Sequence, residues 1–161
     1  MSLSRFLSRL PRRPAPVGPE PQQYGALCWR RRKGRVQVLL VTTRRTGRWT
    51  PPKGWPMSGR APHDAARQEA WEEAGVIGRA RPDPVGHYSY IKHSPVRGAR
   101  RFRVDLFALR VERLKAEFPE AATRERRWFD LSDAAAAVEE PGLREILRDF
   151  VPPRGDGAGN A

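Results

Sequence analysis

The run Val36-Gln37-Val38-Leu39-Leu40-Val41 is apolar at five of its six positions and rich in β-branched side chains. A strand with one wet face alternates apolar and polar residues. One without that alternation is expected to be covered on both faces. Covering a sheet twice requires a layer on each side, so the chain is expected to fold as a layered α/β domain. Its 161 residues suit one such domain with a real core, and not two.

The neighbouring segments fit this layering. Tyr24 to Arg30 and Arg35 to Thr43 are β-rich, and Arg31-Arg32-Lys33-Gly34 between them has the charge and glycine of an exposed hairpin turn. In the stretch from Arg48 to Pro56, three prolines and Gly54 forbid a regular helix and predict a shaped loop. A helix is predicted from about Pro62 to Ala74, with Asp64 near its positive end and Gly75 as its stop. Ala66, Ala70 and Ala74 give it a stripe of small residues for close packing on a sheet. A loop containing Pro82 and Pro84 should follow, then strands over Val85 to Lys92 and Arg100 to Val111 joined through Pro95 and Gly98. Arg126 to Asp130 reads as a short strand. Ser132 to Glu139 reads as a helix capped by Ser132, and Gly142 to Phe150 as a terminal helix.

The ends have a different character. Residues 1–20 carry Arg5, Arg9, Arg12 and Arg13 among prolines without apolar periodicity, and are expected to form a disordered basic arm. Residues 152–161 are expected to be a disordered tail, leaving 21–151 as the folded domain. No stretch approaches the roughly 18 apolar residues of a membrane span, and the start lacks the apolar centre of a secretory signal. The single cysteine, Cys28, excludes an internal disulfide or a thiolate metal cluster; it lies in an apolar run and is expected in the core. The expected compartment is the cytoplasm. A net charge of +13 suits an anionic partner, whether polyphosphate, nucleic acid or lipid, without choosing among them.

Glu69, Glu72 and Glu73 stand at i, i+3 and i+4, so the predicted helix places three carboxylates on one face. The following residues, Ala74, Gly75, Val76 and Ile77, bring no compensating charge. A bare E-x-x-E-E is more often a solvated acidic face than a site. A hard divalent cation is the other reading, since Mg²⁺ takes one or two carboxylates together with water and phosphate oxygens.

The stretch from Gly54 to Val76 resembles the Nudix box, G-x5-E-x7-R-E-U-x-E-E-x-G-U with U aliphatic. Gly54, Glu69, Glu72, Glu73, Gly75 and Val76 fall in register, with Ala70 at the first U. Arg60 replaces the first glutamate of the pattern and Gln68 its arginine. Arg67, about 100° around the helix from Gln68, is a poor substitute. The resemblance covers about Tyr24 to Phe150 and is greatest to the diphosphoinositol polyphosphate and diadenosine polyphosphate hydrolases. It rests on Trp49 before the box, on Pro52-Lys53-Gly54, and on Glu125 to Phe129 ahead of a short helix.

That resemblance implies an α/β/α sandwich with a mixed β-sheet and hydrolysis of a phosphoanhydride. The substrate would be a nucleoside-diphosphate-linked compound, a dinucleoside polyphosphate or an inositol pyrophosphate. It implies Mg²⁺, with Mn²⁺ as a substitute, held by Glu69, Glu73, Glu72 and the Gly54 carbonyl. Glu72 would be the base or a further ligand, with Glu69 sharing the catalytic role. Arg44, Arg48, Lys53 and Arg103 are the candidate phosphate contacts, arginine being suited to bidentate binding. Arg45, Lys92, His93, Arg100 and Arg101 surround them in sequence. His63 and His87 lack a compact metal spacing. Trp49 and Trp55 are packing anchors or stacking surfaces, and Trp71 is expected in the core. The departures at Arg60 and Gln68, with the +13 charge, leave a second reading: a Nudix-fold module that binds nucleotide or RNA with little turnover.

Overall fold

The computed structural model describes residues 19–155. The expected basic arm lies almost wholly outside these residues, as does most of the expected tail. Two strands, β1 (Gln22–Arg32) and β2 (Arg35–Thr42), form the antiparallel hairpin anticipated from sequence. Its two-residue turn is Lys33-Gly34, both at positive φ (49° and 75°), the geometry whose twist matches that of paired strands.

The proline-rich loop contributes two short strands, β3 (Trp49–Thr50) and β4 (Lys53–Gly54). Helix α1 (Pro62–Ala74) follows, then β5 (Val76–Ser94), β6 (Gly98–Leu114), β7 (Arg126–Asp130), α2 (Leu131–Ala137) and α3 (Pro141–Asp149). Among the described residues the strands make one sheet in the order β3-β2-β1-β6-β5. In it β4 pairs with β1, and β7 with β2. The β1–β6 pairing is parallel and the others are antiparallel, so the sheet is mixed.

Strand alternation sorts the interior into two cores. Leu27, Val38, Leu40, Val104 and Leu106 pack with Ala134, Leu143 and Leu147 of α2 and α3. Ala26, Cys28, Leu39, Val41 and Leu109 pack with Ala66, Ala70 and Ala74 of α1. The β2 run is thus covered on both faces, and the molecule is an α/β/α sandwich.

Three expectations need correction. No loop interrupts the chain at Pro82 and Pro84, because β5 runs through both. It is the edge strand and shifts register between Ala80 and Pro84 and again between Pro84 and Gly86, so the missing N–H groups break no continuous ladder. Helix α2 begins at Leu131 with Asp130, not Ser132, at its N-cap. The Asp130 carboxylate makes no cap bond because it accepts from Gln37 Nε2 and Arg35 Nη1, each at 3.0 Å. Trp71 is only half-buried and belongs to neither core.

Candidate active site

Helix α1 ends where the sequence stops it. Gly75 adopts φ +66°, and a Cβ there would run into the Phe118 ring and the Lys115 carbonyl. The alanine stripe turns inward, and Glu73, one turn beyond Glu69, is buried with it. Facing them is β4, fixed to β1 through Tyr24↔Gly54 and Gly25↔Lys53 and by Ala26 N–H donating to the Pro52 carbonyl at 2.9 Å.

The contact between helix and loop is intimate. A Cβ on Gly54 would overlap the Glu69 carboxylate, so only glycine lets that group lie against the loop backbone. Lys53 N–H donates to Glu73 Oε2 at 3.2 Å, and Arg124 Nη2 donates to Glu73 Oε1 at 3.1 Å. Arg124 comes from the segment before β7, and its side chain is only 9% exposed. Its Nη1 donates to the Thr42 carbonyl at 3.0 Å, while Glu120 lies 3.4 Å from its Nε. The charge that α1 lacks in its own sequence therefore arrives from the other end of the domain. Arg124 escaped the sequence reading because it stands in the run Arg124-Glu125-Arg126-Arg127, which local pattern cannot sort into inward and outward residues.

Burial, then the neighbouring Glu72 and Glu120 carboxylates, push Glu69 up to about 7. Burial also raises Glu73 despite the opposing Arg124 and Lys53 charges. The same burial lowers the Lys53 ammonium, whose Nζ lies 4.5 Å from the centre of the Tyr90 ring. Carboxylates that resist ionisation in this way are ones a divalent cation would ionise. Among the described residues no three or more His, Cys, Asp or Glu side chains converge into a ready cage. Carboxylate oxygen donors beside an open cleft are the chemistry that suits a hard divalent cation. Glu69 and Glu73 are carboxylates that could hold such an ion, with the Gly54 backbone against Glu69. Glu72 is more open, and its Oε1 accepts from Gln68 Nε2 at 3.1 Å.

A cleft of about 410 Å³ opens beside Glu73. Arg44, Arg45, Arg48 and Lys53 line it from the β2–β4 side, Tyr90, Lys92 and His93 from β5, and Arg124 from the segment before β7. Three of the four candidate phosphate contacts are thus brought together. Arg48 also pairs with Glu139 at 2.7 Å and Arg44 with Glu120 at 3.2 Å. Arg103 does not join them. It pairs with Asp105 at 3.1 Å on the strand face opposite Phe102 and Val104, outside the cleft lining. Arg101 pairs with Glu20 at 3.6 Å, and the Arg100 guanidinium lies over Phe102. His63 is set beside Asp64, and His87 lines a separate cavity of about 580 Å³ between β5 and α3 that takes no residue from α1. Trp49 packs edge-on to Phe129, whereas Trp55 is 53% exposed with its ring edge against Phe102.

Comparison with known proteins agrees with this geometry. The NUDIX domain family matches residues 21–150. Nudix hydrolase 4 of Arabidopsis thaliana is 32% identical over 118 residues, which cover 72% of this chain and 54% of that protein. Diphosphoinositol polyphosphate phosphohydrolase 3-alpha of Mus musculus is 28% identical over 115 residues, covering 70% of this chain and 66% of that protein. The chain thus spans between about half and two thirds of these curated relatives. Among solved structures, a C. elegans Ap4A hydrolase superimposes with a TM-score of 0.59 at 21% identity. It covers 80% of this chain and 94% of its own, a likeness of fold.

Proposed function

The chain belongs to the Nudix family, and on that premise we propose that it is a metal-dependent hydrolase of a phosphoanhydride bond in a small polyphosphate. The substrate class is a nucleoside-diphosphate-linked compound, a dinucleoside polyphosphate or an inositol pyrophosphate. The observation that carries this reading is the junction of two opposite fields: the buried Glu73, with the half-buried Glu69 one helical turn before it, opens directly onto a cleft lined by Arg44, Arg45, Arg48, Lys53, Lys92 and Arg124. Cations fix the polyphosphate, and the carboxylates face the bond to be cut.

A bound Mg²⁺, or Mn²⁺, supplies charge neutralisation at the phosphate oxygens and acidifies the attacking water. Glu69 and Glu73 would hold it, with the Gly54 carbonyl. Glu72 would be a further ligand or would take the water proton, with Glu69 as the other candidate base. Arg44 and Arg48 swing from Glu120 and Glu139 onto phosphate, and Lys53 contacts it from the loop. The domain over 21–151 works with a basic arm before it and a tail after it. Among the described residues no helix is long and apolar enough to cross a membrane. The cytoplasm is the proposed compartment. Some curated relatives carry mitochondrial designations.

The test is a panel of dinucleoside polyphosphates and inositol pyrophosphates assayed with Mg²⁺ and with Mn²⁺. Glu73→Gln should lower turnover on the preferred substrate by roughly 100-fold or more. Turnover that ignores metal, or none across the panel, rules the reading out. The second reading, a binding module, draws on Gln68 in place of the box arginine. It requires polyanion affinity that falls steeply with salt and survives Glu73→Gln.

A further inference from the structure

The two residues that depart from the Nudix box meet each other. Arg60 Nη1 donates to Gln68 Oε1 at 3.2 Å, and Gln68 Nε2 donates to Glu72 Oε1 at 3.1 Å, one helical turn on. A primary amide has an acceptor end and a donor end. With the guanidinium on its oxygen, the Gln68 amide has one sensible orientation. The flipped amide would set donor against donor at Arg60 and oxygen against carboxylate at Glu72.

We propose that Arg60 and Gln68 form a two-residue positioning relay that replaces the single arginine of the box and fixes the rotamer of Glu72 at the metal site. This rests on the metal-dependent reading above. Neighbouring cations are committed elsewhere: Arg67 faces Asp64 at 3.7 Å, and Arg124 serves Glu73 and Glu120. The relay also changes the local charge. The box pattern of glutamate and arginine sums to zero, whereas Arg60 and Gln68 sum to plus one. Because Arg60 is exposed, solvent screens that charge and the geometric effect is the larger. Holding one Glu72 oxygen on Gln68 leaves the other directed by the helix and not by free rotation. Neither relay residue lines the cleft.

The experiment measures Mn²⁺ binding to the full chain by the electron paramagnetic resonance of free Mn²⁺, together with Mg²⁺-dependent turnover and thermal unfolding without metal. Gln68→Ala should weaken Mn²⁺ binding about tenfold, the usual loss when a ligand's hydrogen-bond partner is removed, and Arg60→Ala about threefold. Because the two act in series, Arg60→Ala/Gln68→Ala should be no weaker than Gln68→Ala alone. The paired exchange Arg60→Glu/Gln68→Arg, which restores the box pattern, should return binding to within about threefold of wild type. Unfolding without metal should stay unchanged throughout, which a merely structural role would not allow. If Gln68→Ala binds Mn²⁺ like the wild type, or if the two single losses add, the relay is overturned while the hydrolase stands. If the wild type takes up no Mn²⁺, the metal-dependent reading fails and the relay with it.

Discussion

The two helical layers cover the same sheet by opposite means. On one side α3 offers Leu143 and Leu147, and Phe150 just beyond it packs edge-on to Trp29 at 6.4 Å between ring centres; Arg148 sits favourably in its last turn. On the other side α1 offers alanines and carries three glutamates in its C-terminal half, where the helix dipole repels them. By the placement of its charges against the helix dipole, α1 is the less favoured helix. Its small residues bring its backbone near the sheet, which lets Glu69 reach Gly54 and Glu73 reach the Lys53 N–H. One layer supplies stability through bulk, and the other accepts electrostatic cost to place carboxylates.

The contrast can be broken most severely from the bulky side. Leu147→Ala should destabilise the protein by about 2–5 kcal/mol in denaturant unfolding, while the metal affinity of the folded fraction stays as in wild type. Ala70→Leu tests the other side. Its added volume should cost about 1–3 kcal/mol and should also weaken metal binding, because pushing α1 outward separates Glu69 and Glu73 from β4. A loss of stability without any loss of metal affinity would mean that the alanine stripe does not set the site geometry.

The smallest effect concerns pH. Glu69 and Glu73 are held above the ordinary carboxyl value of 4.5, so the native chain keeps protons that the unfolded chain releases. Their contribution to stability is full below about pH 4.5 and lost as pH rises through about 7. Allowing for the partial exposure of Glu69, metal-free protein should lose about 1–2 kcal/mol over that window. Calorimetry should show Mg²⁺ raising the Tm more at pH 8 than at pH 5. Equal stabilisation at both would remove the link between these carboxylates and the cation.

Periodicity made much of the architecture legible. Helix α1 has the bounds its apolar stripe and Gly75 indicate, and the β2 run is covered on both faces because it lacks alternation. What stayed hidden depends on partners distant in sequence. Pro82 and Pro84 read as a loop because nothing local reveals that their strand lies at an edge. Ser132 read as a cap because nothing local shows the helix beginning beside an aspartate already bound by Arg35 and Gln37. Arg103 looked like a neighbour of the basic loop, yet the parity of β6 turns it away beside Asp105. Arg124, the deepest cation at the site, was indistinguishable from the arginines around it until the fold set it on Glu73.

The parallel pairing of β1 with β6, which sets Gln22 beside Arg103 and Leu27 beside Ala108, also governs when the site comes into being. Parallel neighbours so far apart in sequence require a large loop to close before either strand gains anything, and such contacts form slowly. The strand bearing Lys53 and Gly54 pairs with β1, and Arg124 is made after β6. A growing chain that has completed its carboxylate helix still lacks Arg124, the ion-pair partner of Glu73. For that interval Glu73 is without its guanidinium, and the time to assemble the site is the time this closure takes.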